Sequence, residues 1–153
     1  MKAITATQNK TAAQIITALF IMAVLFFTAG GKASAAGGLQ MSTGYPGMTV
    51  NAGDDLSFSL DFSNTTGAGM AVSLETVSLP EGWEGYFTGN GSEVSQVYVK
   101  SGDNAGAAAY SLSIPDDAAS GDYEVVLRAF AGAKAEDTLT LKLKVAAEEI
   151  GSS

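Results

Sequence analysis

The chain has no cysteine and no histidine among its 153 residues, and it has only three prolines and one tryptophan. Without cysteine there can be no disulfide, no thiolate nucleophile and no zinc–thiolate site. Without histidine the commonest general base and the usual transition-metal ligand are missing, and a Ser-His-Asp triad cannot be assembled. Basic residues are scarce as well: 8 Lys and Arg stand against 16 Asp and Glu, a net charge of −8. Such a surface repels phosphate backbones and anionic lipid heads, so nucleic acid is not an expected partner. The length suits one ordinary domain.

The one long apolar run is N-terminal. Lys2 and Lys10 precede the stretch Ile15 to Ala29, which only two threonines interrupt, and Ala33-Ser34-Ala35 comes after it. A basic start, an apolar middle and a small-x-small end make a secretory signal, with cleavage expected before Ala36. The alternative is a retained anchor. A spanning helix needs about 20 apolar residues, and this shorter run is succeeded at once by Gly30, Gly31 and Lys32. Losing Lys2, Lys10 and Lys32 leaves five basic residues against sixteen acidic ones, a net charge of −11. The expected location is secreted or extracytoplasmic. Residues 1–35 are read as the signal, 36–53 as a lead-in with an edge strand, 54–146 as the domain and 147–153 as an acidic tail or linker.

Period-two alternation dominates the rest. Leu56, Phe58, Leu60 and Phe62 are separated by Ser57, Ser59 and Asp61, which puts one face on a core and the other in water. The run from Met70 to Leu79 alternates as Met70, Val72, Leu74 and then changes phase to Val77 and Leu79, which predicts a bulge or a crossing between sheets. Further strands are expected around Glu93 to Lys100, at Ala108 to Ile114, at Tyr123 to Ala129 and at Leu139 to Val145. The stretches Ser101 to Asn104 and Asp116 to Gly121 read as turns. An edge strand within Leu39 to Val50, where Pro46 fits only an edge or a strand start, brings the total to about seven. Seven short strands without a useful amphipathic helix predict an all-β, immunoglobulin-like sandwich.

Few residues invite chemistry. Asp54, Asp55, Asp103, Asp116, Asp117 and Asp122 fall in expected turns, where turn formation outweighs a glycosidase pair or a calcium site. No catalytic, cofactor or metal residue is assigned, and no cofactor is expected. Asn64-Thr65-Thr66 and Asn90-Gly91-Ser92 match the glycosylation acceptor pattern, which is common by chance. Leu79-Pro80-Glu81-Gly82-Trp83 sets the only tryptophan at the end of a strand, with Tyr86 and Phe87 close behind. Trp83 either caps the core or joins Tyr86 and Tyr45 as a ligand-facing aromatic; packing is the commoner fate of a lone tryptophan. Gly121-Asp122-Tyr123 after a tight loop matches a tyrosine corner, a structural device.

Three features in order carry a resemblance: the strand ending Leu60-Asp61-Phe62-Ser63-Asn64, the Leu-Pro-x-Gly-Trp turn at Leu79 to Trp83, and the Pro115 to Tyr123 corner. Together they resemble the NEW3 domain, also called the α-galactosidase-associated or NPCBM-associated domain, from about Asp54 to Val145. The resemblance implies an immunoglobulin-like accessory module of bacterial and archaeal exported proteins. Asn64, Pro80, Gly82, Gly121 and Tyr123 are then structural residues. The expected function is a non-catalytic module at the bacterial cell exterior, acting through protein contacts or as a spacer. A carbohydrate-binding accessory domain of a glycan-processing system is the alternative.

Overall fold

The computed structural model describes residues 37–133 and 135–148. The expected signal segment, Lys134 and residues 149–153 lie outside the described residues. Ten strands run through the described chain: β1 (Leu39–Ser42), β2 (Gly47–Val50), β3 (Asp55–Asn64), β4 (Met70–Ser78), β5 (Glu84–Gly89), β6 (Ser92–Glu93), β7 (Gln96–Val99), β8 (Gly102–Ser113), β9 (Gly121–Ala131) and β10 (Ala135–Val145). They form two five-stranded sheets, ordered β1-β3-β8-β5-β6 and β2-β10-β9-β4-β7. The architecture is an all-β, immunoglobulin-like sandwich, and no described helix is long and apolar enough to cross a membrane.

The alternating rows become the two inner faces. Phe58, Leu60, Phe62, Ala108, Tyr110, Leu112 and Phe87 line the first sheet; Val72, Leu74, Val125, Leu127, Leu141 and Leu143 line the second. Burying one such large side chain is worth about 1.5–3 kcal/mol. This layer therefore supplies the cohesion that a cysteine-free chain cannot take from cross-links.

The alternation predicts about seven strands, and the described residues hold ten. The lead-in holds two: β1 pairs antiparallel with β3, then the chain crosses at Pro46 so that β2 pairs parallel with β10. The segment after Trp83, which carries no predicted strand, forms β5 against β8, and a two-residue turn with Asn90 and Gly91 both at positive φ returns it as β6. The Asn-Gly pair suits this turn because both positions need the left-handed region. The expected turn at Ser101 to Asn104 is replaced by the start of β8, which carries two extra residues opposite Asp61. Gly106 takes φ of 61° there and its N–H donates to Asp61 Oδ1 at 2.6 Å. The phase change in β4 is a bulge: the register against β9 slips between Thr76 and Ser78, which turns Val77 outward to solvent.

The strand directions place the two ends of the domain at opposite poles. Leu39, the first residue of β1, pairs with Asn64, the last of β3. Val145, the last of β10, pairs with Gly121 beside Val50 at the other end. A ten-residue strand such as β3 spans about 30 Å, and that is roughly the separation of entry and exit.

Candidate functional site

At the exit pole the Leu79 to Trp83 turn carries the chain from one sheet to the other. The Trp83 N–H donates to Pro80 O at 3.1 Å, and Gly82 at φ 82° occupies the third position, the type II arrangement that only glycine fills without strain. The turn delivers the Trp83 indole inward, where it is 6% exposed and stacks on Tyr123 with centroids 4.8 Å apart at 39°. Tyr123 opens β9 and its hydroxyl donates to Ala119 O at 2.6 Å, so the ring is held at both ends. Gly121, at φ 151°, lets the chain turn into β9 just before it. The two aromatic markers of the sequence thus meet and close the exit pole.

The entry pole is closed by Asn64, 1% exposed. Its Nδ2 donates to Ala68 O at 2.8 Å and Val99 O at 3.3 Å, and its Oδ1 accepts from Thr66 N–H at 3.0 Å and Thr66 Oγ1 at 2.7 Å. One buried amide thereby pins the β3–β4 loop to the end of β7. The acceptor pattern at Asn64 sits on a side chain with no free face, whereas Asn90 is exposed at a hairpin tip.

The three candidate ligand-facing aromatics occupy separate environments. Trp83 is inside the exit pole. Tyr86 stands on the outer face of the first sheet, 47% exposed, in register with Ser111 and, through it, Ser57. With Ser113 and Asp55, which hydrogen-bond to each other, they line an open basin of about 460 Å³. Tyr45, 74% exposed, lies on the link between β1 and β2 at the far edge of the sandwich. Of the two fates the sequence left open for Trp83, packing in the core is the one observed, and Tyr86 and Tyr45 stand apart on a face and an edge.

Sequence reading missed a polar array on the outer face of the second sheet. Arg128 pairs across the strands with Glu75, bonds Glu136 at 2.7 Å and Glu75 at 3.4 Å, and lies 4.4 Å from the centroid of Phe130. The bond to Glu136 is the main reason its guanidinium is held above the ordinary value. Glu75 lies 53 residues from Arg128 and Glu136 only eight, and the two converge on the guanidinium once β4, β9 and β10 are aligned. It also missed the two ways the N-terminal strands end: the Met41 N–H of β1 is covered by Asp137 Oδ2 at 2.9 Å, while β2 has no such cover among the described residues. Among the described residues no group of three or more acidic side chains converges as a metal site would require.

No protein-family model matches the chain, and no curated protein matches it in sequence. Some solved structures are similar to parts of the chain. A family 123 glycoside hydrolase from Clostridium perfringens is similar over 71% of this chain and 27% of its own length, at 12% identity and a TM-score of 0.47. The seventh PapD-like domain of human CEP192 is similar over 74% of this chain and 89% of its own, at 12% identity and 0.46. Domain 1 of VCBP3 from Branchiostoma floridae covers 74% and 98%, at 16% identity and 0.38. The chain spans about a quarter of the hydrolase's length.

Proposed function

We propose that this chain is an exported, non-catalytic module of the NEW3 type, working at the cell exterior as a spacer and a surface for protein contacts. The observation that carries the reading is polar: the chain enters the sandwich beside Asn64 and leaves it beside Gly121, at opposite ends of the strands. A domain threaded in this way sets its processed N-terminus about 30 Å, one strand length, from the segment that follows Val145. Its largest aromatic is taken up in packing and its poles are sealed by Asn64 and by the Trp83–Tyr123 pair, which leaves the sheet faces and edges for contact. The lack of histidine and cysteine supports a role without catalysis.

Protease treatment of intact producing cells tests the reading. Expected is a chain beginning at Ala36 that external protease digests. A chain recovered whole inside the cell, with residues 1–35 attached, contradicts it.

One observation favours the carbohydrate alternative. The exposed Tyr86 ring borders a floor of Ser57, Ser111 and Ser113 hydroxyls beside Asp55, a combination suited to stacking a sugar and bonding its hydroxyls. If that reading holds, Tyr86→Ala abolishes retention on a polysaccharide column while Tyr45→Ala leaves it unchanged; a chain that is never retained rules it out.

A further inference from the structure

The hairpin tip between β5 and β6 sets an exposed side-chain amide beside a backbone nitrogen that can react with it. Four asparagines lie among the described residues: Asn51, Asn64, Asn90 and Asn104. Three of them are poorly placed to lose the amide. Asn64 is buried and its Nδ2 donates to Ala68 O and Val99 O, while the Nδ2 of Asn104 donates to Lys100 O at 2.9 Å and Gly102 O at 3.1 Å. Asn51 is exposed, but Ala52 follows it, and the alanine methyl crowds the nitrogen that would attack.

Asn90 differs on each count. It is exposed, and at φ 51° it is the one non-glycine residue with positive φ among the described residues. Gly91 follows at φ 77°, with no atom within 4 Å of the place a Cβ would take, so base and water reach its nitrogen freely. The strand register joins Thr88 to Glu93 and Gly89 to Ser92, which leaves the Gly91 nitrogen outside the ladder. In the closed turn both residues are left-handed, and attack on the amide needs the Asn90 backbone to swing out of that region. The arm that must yield is short: β6 has two residues, both exposed, and such an arm opens far more often than a core strand.

We infer that Asn90 is a self-modification site, where the chain converts its own amide to a carboxylate through an imide closed by the Gly91 nitrogen. Hydroxide takes the Gly91 amide proton, and the nitrogen attacks Asn90 Cγ. The new C–N bond forms as the bond from Cγ to Nδ2 breaks, and ammonia leaves with a proton from water. Water then opens the five-membered imide at either carbonyl. Nothing is oxidised or reduced, and no enzyme or cofactor enters. Opening at Cγ gives aspartate, which tolerates the left-handed turn. Opening at the backbone carbonyl gives isoaspartate, which adds one carbon to the main chain. A two-residue turn with both positions left-handed has no place for that carbon. The isoaspartate form therefore frees β6 from β5 and releases the bond from Val94 N–H to Phe87 O, 2.9 Å in the closed hairpin. The conversion is independent of what the module contacts.

The test is ageing of the purified full chain at pH 8 beside a synthetic peptide of Thr88 to Ser95, which has the reacting pair and no fold. Mass spectrometry with electron-transfer fragmentation tells aspartate from isoaspartate. After about ten half-lives of the peptide, more than half of the chains should be converted at Asn90, ahead of Asn51 and Asn104, with isoaspartate exceeding aspartate. Less than half converted means that the closed turn protects the amide and overturns the inference, as does earlier conversion at another asparagine. Gly91→Ala separates ring closure from mere loosening. A side chain at that φ strains the tip, yet it crowds the attacking nitrogen, so conversion should fall at least tenfold. The same substitution in the peptide gives that ratio even if the variant chain fails to fold. A smaller fall overturns the imide route, and so does aspartate without isoaspartate, the product of direct hydrolysis. Hydrogen exchange at the Val94 amide should be faster in the aged chain than in the fresh one, and unchanged by age in Asn90→Gly, which suits the turn and has no amide to lose. Unchanged exchange in the aged parent overturns the release of β6.

Discussion

The Tyr110 hydroxyl, on the inner face of one sheet, lies 3.1 Å from Thr76 Oγ1 on the inner face of the other. It is a polar link across the core between β8 and β4, and it needs room. Tyr110 leans over Gly85, where any side chain would overlap its hydroxyl, and its ring meets Phe87 edge-on at 4.9 Å between centroids. A buried hydrogen bond of this kind contributes about 0.5–1.5 kcal/mol, and leaving one partner unpaired costs about 1–3 kcal/mol. Tyr110→Phe and Thr76→Val should each lower stability by roughly 1–2 kcal/mol. In urea unfolding the double variant should cost less than the sum of the two singles. Strict additivity would show that the pair is not coupled.

The same link sets an alkaline limit. Burial pushes the Tyr110 phenol above its ordinary value of about 10, and the bond to Thr76 opposes that only in part. In the unfolded chain the phenol ionises first. Its contribution is thus complete below pH 10 and is lost as pH rises through the raised value in the fold. Melting temperatures measured from pH 8 to 12 should fall above pH 10, and Tyr110→Phe should fall less steeply. A steeper fall for Tyr110→Phe would contradict the assignment.

Asn64 makes a sharper demand, since its own side chain is buried and makes four hydrogen bonds, to Ala68, Val99 and Thr66. Asn64→Leu should cost about 1–3 kcal/mol, because the buried Val99 O loses a donor while Thr66 and Ala68 can turn to water. Asn64→Asp keeps the shape and the acceptor but turns a donor site into a charge among carbonyls. It should destabilise more at pH 7 than at pH 4, the reverse of a surface carboxylate. Two-state unfolding curves at both pH values check this.

The corner at Tyr123 is a smaller effect. Its hydroxyl makes one bond, to Ala119 O, at a partly exposed site, so Tyr123→Phe should cost about 1 kcal/mol. Tyr123→Ala also removes the surface on which Trp83 packs and should cost about 3–5 kcal/mol. A difference between the two below 1 kcal/mol would mean the stacked ring contributes little.

Much of the fold was legible because alternation is a local signal. Leu56 to Phe62 and Leu139 to Val145 announce half-buried strands with no knowledge of their neighbours. The β4 bulge was legible for the same reason, since inserting Val77 shifts the phase of the row. What stayed hidden depends on pairing between distant segments. Glu84 to Gly89 alternates weakly, with two glycines, and becomes a strand only because β8 offers a partner edge and Tyr110 needs the space above Gly85. The split of the lead-in into β1 and β2 is a choice between two sheets, which no run of twelve residues encodes alone. The distribution of Trp83, Tyr86 and Tyr45 over pole, face and edge is of the same kind. The sequence favoured packing for Trp83, and only strand order tells where Tyr86 and Tyr45 stand.

Tryptophan emission offers the most direct check that the largest aromatic of this chain serves cohesion rather than display. Trp83 is the sole tryptophan, so its signal is unambiguous. With the indole sealed against Tyr123, emission should be blue-shifted, resistant to iodide and unchanged by added oligosaccharides. A red-shifted band that oligosaccharides quench would place the ring on the surface and contradict the packed exit pole.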